Sequence, residues 1–114
     1  MIEKRIRVIK EQDFVPGRKS ISKGVLTHSL IPDGLSNVNI ILTRVAPGGE
    51  SAPHRDDYHH ILYFMKGVGK GCVDESNYAI KPGTVVEIPA GSLHSYQNTS
   101  REPLELLVVN IYSE

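Results

Sequence analysis

Gly83-Thr84-Val85-Val86-Glu87-Ile88-Pro89-Ala90-Gly91-Ser92-Leu93-His94-Ser95-Tyr96-Gln97-Asn98 is the stretch whose reading decides the fold. A short β-branched run, Thr84 to Ile88, is stopped by Pro89-Ala90-Gly91, and a new extended run starts near His94. Strand, tight turn and strand follow one another with no room for a helix. The same grammar recurs on both sides. Val38 to Val45, His60 to Met65 and Leu104 to Tyr112 are further runs rich in Val, Ile, Leu and Tyr. Ile31-Pro32-Asp33-Gly34, Pro47-Gly48-Gly49, Gly67 to Gly71 and Lys81-Pro82-Gly83 separate them as turns. With 10 Gly and 7 Pro, the chain leaves only Lys10 to Phe14 for a helical turn or two.

Many short strands with Gly/Pro turns predict an all-β sandwich or closed barrel, and closure removes exposed sheet edges. At 114 residues the chain is one domain, large enough to bury a core without staples. Residues 1–23 are more polar, with Arg5, Arg7, Lys10, Arg18, Lys19 and Lys23. They are read as an N-terminal arm. A strand over Ile2 to Ile9 is expected there, packed on the barrel or reaching a second copy, while residues 24–114 form the barrel. Lys+Arg and Asp+Glu are 13 each with no basic run, which argues against nucleic acid as partner. No apolar run approaches a membrane span, and Met1-Ile2-Glu3-Lys4-Arg5 opens no signal peptide. The single cysteine, Cys72, has no intramolecular disulfide partner and reads as a buried structural thiol. A cytoplasmic protein is expected.

Histidine carries the chemistry. Four of the five histidines, His54, His59, His60 and His94, fall in two turn-rich segments. Residues two apart in an extended chain share a face, so His54 and Asp56 point the same way. His60 opens the next apolar strand, and a turn before it lets it face back. If the two segments are antiparallel neighbours, three imidazoles and a carboxylate converge. Imidazole and carboxylate together suit Zn, Fe, Ni, Mn, Co or Cu. Asp56 either ligates directly, orients a ligand from behind, or caps a turn with Asp57. As a ligand its charge favours harder ions such as Fe, Mn or Co; without it, three His suit Zn, Ni or Cu.

Gly48, His54, Asp56, His60 and Gly67 follow the spacing G-x5-H-x-H-x3-E-x6-G, and Gly83, Pro89, Gly91, His94 and Asn98 follow G-x5-P-x-G-x2-H-x3-N. On these residues the chain resembles the cupin family. Asp56 stands where the family has its second His. His60 stands where it has Glu, as in small cupins with an all-His site. The resemblance implies a jelly-roll barrel (a double-stranded β-helix), one divalent ion on His54, Asp56, His60 and His94, and a homodimer. It implies a small metalloenzyme of dioxygenase, isomerase, lyase, cyclase or decarboxylase type acting on an oxygen-rich small molecule. The alternative is a non-catalytic domain that binds a sugar or organic acid, or an ion that is mainly structural.

Parity adds further candidates. Tyr96 and Asn98 share the face of His94, and Leu62 and Phe64 share that of His60 as core. Tyr96 is a hydrogen-bond donor to a bound substrate. Glu87 is a candidate general base if it faces inward, and a solvent-facing strand position otherwise. Arg44 neutralises an anionic substrate if it faces inward. His59 should point away from His60, and His28 receives no role.

Overall fold

β-Branched and aromatic residues in period-two alternation pair into nine strands in the computed structural model, which describes residues 4–31 and 37–112. They are β1 (Val15–Pro16), β2 (Ser22–Ser29), β3 (Val38–His54), β4 (His59–Lys66), β5 (Gly69–Val73), β6 (Ser76–Ile80), β7 (Val85–Ile88), β8 (His94–Asn98) and β9 (Leu104–Ile111). A single 3-10 turn, Glu11–Asp13, falls inside the Lys10–Phe14 stretch left for one. The pairing order is β6-β5-β8-β3-β9-β4-β7, with β2 on the other side of β3 and β1 on β2. All pairings are antiparallel. This is the expected jelly-roll barrel.

β3 explains the curl. Its first half, Val38 to Val45, pairs with β9, and its second half, Glu50 to His54, pairs with β8. The expected turn at Pro47-Gly48-Gly49 is instead a bend inside one 17-residue strand. Gly48 takes a positive φ of 77° there. A Cβ on Gly49 would lie 2.7 Å from the Lys23 carbonyl oxygen, so only glycine lets β2 stay paired across the bend. The chain thereby changes partner without ending the strand.

The interior is graded along its length. β4 points Phe64, Leu62 and His60 inward; β9 points Leu104, Leu106, Val108 and Asn110; β8 points Asn98, Tyr96 and His94. Phe64, Leu104, Leu106 and Val45 make the dry end. Each such side chain contributes about 1.5–3 kcal/mol by leaving water. The opposite end of the same rows is polar: His60 lies across from Asn110, and His54 across from His94.

The N-terminal arm departs from expectation. Residues 4–10 form no strand, and Ile6 and Val8 are 91% and 79% exposed. Two apolar residues do not hold a strand without a partner edge. The first three residues lie outside the described ones, as does most of the Ile31–Gly34 turn. β2 starts at Ser22, so the boundary expected after residue 23 falls within a barrel strand. Local composition does not announce β2, β5 or β6. Gly69 and Gly71 read as a turn, yet both lie in β5, where the Tyr78 ring packs over Gly71 and replaces the missing side chain.

Candidate metal centre

The polar end of the barrel gathers the four expected residues. His54 ends β3, Asp56 follows in the loop, His60 is the second residue of β4, and His94 opens β8. The Nε2 atoms of His60, His54 and His94 lie 2.9, 3.2 and 3.6 Å from one atom, Asp56 Oδ2. Ligand atoms of His54, Asp56 and His94 lie within 4.8 Å of one another. The Pro89-Ala90-Gly91 turn fastens the two segments together. Gly91 N–H donates to the Asp56 carbonyl at 2.8 Å, and Ala90 N–H donates to His59 Nδ1 at 2.9 Å. His59 is therefore a turn latch on the outer surface, turned away from His60 as strand parity requires.

The proton positions follow from the partners. His54 Nδ1 faces the Ala52 carbonyl at 2.7 Å, His94 Nδ1 the Ser92 carbonyl at 2.9 Å, and His60 Nδ1 the Asn110 Oδ1 at 2.7 Å. Those three partners only accept, so each Nδ1 carries hydrogen and donates. In a neutral ring the Nε2 lone pair is then bare. Three bare lone pairs aimed at a carboxylate oxygen repel it unless a cation sits among them or the rings protonate. Protonation stacks positive charge, with the His54 and His94 rings 4.2 Å apart and His60 and His94 4.9 Å apart. Burial, with the charges of His54 and His60, also pushes His94 toward its neutral form. A cation is the better solution. Fixing Nδ1–H on a carbonyl or amide oxygen is also how metal-bound imidazoles are oriented.

Spacing agrees. At metal–ligand distances of ~2.1 Å, ligand atoms sit ~3.0 Å apart at right angles and ~3.4 Å apart at tetrahedral angles. The 2.9, 3.2 and 3.6 Å separations bracket both. His54, Asp56 and His94 thus form a His/Asp/His group with the donor chemistry for a divalent ion, and His60 Nε2 faces the same carboxylate oxygen.

Two further residues complete the centre, and neither is marked by motif spacing. Asn110, on β9, holds the His60 ring. It does carry a signal, as the one polar residue on the inward row Leu104, Leu106, Val108. Arg18 Nη1 donates to Asp56 Oδ1 at 2.8 Å, the carboxylate oxygen the imidazoles do not face. Burial opposes ionised Asp56, but the hydrogen bond and charge of Arg18 hold it below the usual carboxylate range. Nothing in the sequence singles out Arg18. Tyr58, also beyond the motif positions, packs its ring on His60 and Tyr112.

A cavity of about 310 Å³ opens onto these residues, walled by Ile21, Val25, Ile41, Val108, Arg18 and Tyr58. Tyr96 lines it, and burial keeps its phenol protonated far into alkali. The other candidates lie elsewhere. Glu87 is exposed on β7 between buried Val86 and Ile88, so alternation turns it outward and it is no general base for this cavity. Arg44 pairs with Glu11 and Glu105 at 2.8 and 3.2 Å and stacks over Phe14, away from the cavity. Asn98 is buried but structural: its amide donates to the Val45 and Glu102 carbonyls and accepts from Ser100. Cys72 is half-exposed, not buried, and its Sγ meets the Asp74 carbonyl. His28 bonds Arg7 and the Asp13 carbonyl.

The family profile described as "Cupin domain" matches residues 41–110. Auxin-binding protein 1 of Arabidopsis thaliana is 29% identical over 102 residues, 82% of this chain and 51% of that protein. The chain thus spans about half the length of that curated relative. A cupin-2 domain protein of Rhodospirillum rubrum superposes with a TM-score of 0.80 at 20% identity, covering 100% of this chain and 79% of that one. A predicted oxalate decarboxylase of Thermotoga maritima superposes with a TM-score of 0.79 at 23% identity, covering 94% and 100%. At such identities these two show the shared fold alone. No helix among the described residues is long and apolar enough to cross a membrane.

Proposed function

The chain belongs to the cupin domain family, and from that premise we propose that it binds one divalent metal ion on His54, Asp56, His60 and His94 and acts there as a small metalloenzyme on an oxygen-rich substrate. One observation carries the reading. Three imidazoles, each with Nδ1–H committed to an acceptor, present bare Nε2 atoms around a single carboxylate oxygen. A bound ion supplies a Lewis-acid centre for a carboxylate, enediol or hydroxy-ketone. The protein's own groups orient and enclose. Tyr96 stays a protonated donor at the cavity wall, and Ile21, Val25, Ile41 and Val108 offer an apolar surface to the body of a ligand. Iron, manganese, cobalt, nickel, zinc and copper all accept this donor set.

A second reading, a non-catalytic small-molecule binder, is favoured by a different observation. Among the described residues lining the cavity the only carboxylate is Asp56, which is committed to Arg18 and the imidazoles. No spare general base stands there. The name of the curated relative, an auxin-binding protein, points the same way. The expected homodimer is supported by the exposure of Ile6 and Val8 on the N-terminal arm.

Elemental analysis of protein grown without added metal tests the centre, beside a His54→Ala/His94→Ala double variant. Near-stoichiometric metal in the wild type and little in the variant is expected. A folded wild type that takes up none of the six ions would end the metal-centre reading. Metal-loaded protein then separates the two readings: an enzyme converts its ligand over time, whereas a binder is stabilised by it and returns it unchanged.

A further inference from the structure

We propose that the ligand of this cavity is a small monocarboxylic acid with an apolar body, and that Arg18 takes its carboxylate. The inference rests on the metal-centre reading and goes beyond it by naming a substrate class and a specificity residue. Arg18 has five N–H donors; Nη1 bonds Asp56 and the guanidinium also meets the Tyr58 hydroxyl, which leaves donors over for a ligand. Its side chain is 54% exposed while lining the cavity, whereas the Asp56 side chain beneath it is 7% exposed. The guanidinium thus reaches from solvent to the carboxylate that faces the metal ligands, with N–H groups to spare beyond Asp56 and Tyr58.

The backbone that delivers Arg18 is a closed turn. The Arg18 carbonyl accepts N–H bonds from Ile21 at 3.2 Å and Ser22 at 2.8 Å, and Gly17 N–H donates to the Val25 carbonyl at 2.9 Å. A Cβ on Gly17 would lie 2.8 Å from Ser22 Oγ, so the turn is tight. Ala52 N–H donates to the Ile21 carbonyl at 2.7 Å and ties the turn to β3, two residues before His54. Arg18 is held over the centre.

Charge and polarity select the ligand. Arg18 and Asp56 cancel, so a divalent ion leaves the cavity with an uncompensated positive charge that an anion offsets. A sugar needs many free hydrogen-bonding partners, and here several are spent. Thr27 Oγ1 donates to the Val15 carbonyl, Thr43 Oγ1 to the Ile41 carbonyl, and Asn110 holds His60. Ser22, Tyr58 and Tyr96 also line the cavity, but the largest continuous part of the rest is the aliphatic wall of Ile21, Val25, Ile41 and Val108. An organic acid with a hydrocarbon body meets all three conditions, and the guanidinium fork matches its carboxylate.

The test uses cobalt(II)-loaded protein titrated with hexanoate and phenylacetate. Phenylacetamide serves as neutral isostere and glucose as polyol control. Calorimetry reads affinity and the cobalt visible spectrum reports change at the ion. The wild type should bind at least one acid and discriminate against the amide by about tenfold or more. Arg18→Met, compared at cobalt concentrations where its visible spectrum shows the site filled, should bind that acid about 10- to 100-fold more weakly, with Arg18→Lys partly restoring it. A cobalt-loaded wild type that prefers glucose or binds neither acid overturns the proposal alone. So does Arg18→Met binding the acid like the wild type. A wild type that takes up no cobalt overturns the metal centre as well. If Arg18→Met fails to fold, as read by circular dichroism, Arg18→Gln and Arg18→Lys decide on the same terms.

Discussion

Replacing Asn110 with leucine should weaken metal binding although Asn110 is no ligand. Its Oδ1 accepts the His60 Nδ1–H at 2.7 Å inside a site where His60 is only 7% exposed. Leucine keeps the volume and removes the acceptor. Two outcomes are then open to the His60 ring. It keeps its orientation and buries an unpaired N–H, at a cost of about 1–3 kcal/mol. Otherwise the proton moves to Nε2, which lies 2.9 Å from Asp56 Oδ2, and that nitrogen is closed to the ion. Either way the loss is about 1.4–2.8 kcal/mol, or 10- to 100-fold in affinity. Asn110→Asp keeps an acceptor, strengthens it with charge, and should bind metal as well as or better than the wild type. Competition against a chromophoric zinc chelator measures both, on protein whose circular dichroism matches the wild type. An Asn110→Leu variant within about threefold of the wild type would refute the reasoning, because a threefold change is too small for a lost orienting bond.

Two further outcomes concern stability. Asn98 is 1% exposed and its amide nitrogen bonds two carbonyls, so Asn98→Asp sets a carboxylate against both and should cost about 3 kcal/mol or more with metal stoichiometry unchanged; urea melts showing under about 1 kcal/mol would return Asn98 to the cavity as a binding residue. Tyr78 is pushed up to about 12 by burial, and its hydroxyl is buried with no hydrogen-bond partner. Because its folded pKa lies above the ordinary value of 10.0, the contribution of its neutral form is complete below pH 10 and drains away as pH rises toward 12. Phenolate absorbance of the wild type minus that of Tyr78→Phe should therefore place Tyr78 ionisation well above pH 10, and Tyr78→Phe should match or exceed wild-type stability; a Tyr78 contribution complete by pH 10 would contradict this.

Fold class was readable because strands announce themselves by alternation and turns by glycine and proline. The readable signals stopped where glycine serves two purposes. At Pro47-Gly48-Gly49 the residues that end most strands instead bend one, because β2 stays paired across the bend. At Gly69 and Gly71 glycine sits within a strand because Tyr78 covers it from the neighbouring strand. Neither is visible from local composition, since the deciding partner lies on another strand. Ile2 to Ile9 shows the converse. Alternation alone suggested a strand, yet among the described residues 4–10 there is none, for alternation has consequence only beside a free edge.

The site divides along the same line. His54, Asp56, His60 and His94 lie at turn ends, where spacing along the chain and position in space are tied together by one hydrogen-bonded turn. Asn110 and Arg18 reach the centre only through strand pairing: His60 meets Asn110 across 50 positions, and Asp56 meets Arg18 across 38. Linear spacing carries no information about such pairs. Parity does carry some: it put Tyr96 and Asn98 on the inward face of β8, though only Tyr96 lines the cavity, and it left Glu87 open. The difference lies in depth along the graded interior. Inward at the polar end means a cavity wall, whereas inward at the far end of the same strand means a buried turn, and depth depends on which strand lies opposite. This division also says where specificity resides. The turn-borne residues are the ones a metal requires. Those brought in by pairing act differently from each other. Asn110 fixes the tautomer that leaves His60 Nε2 bare, and Arg18 adds a charge facing the cavity beyond the proposed metal ligands. A residue outside that set, held in a closed turn at the cavity mouth, is positioned for the ligand.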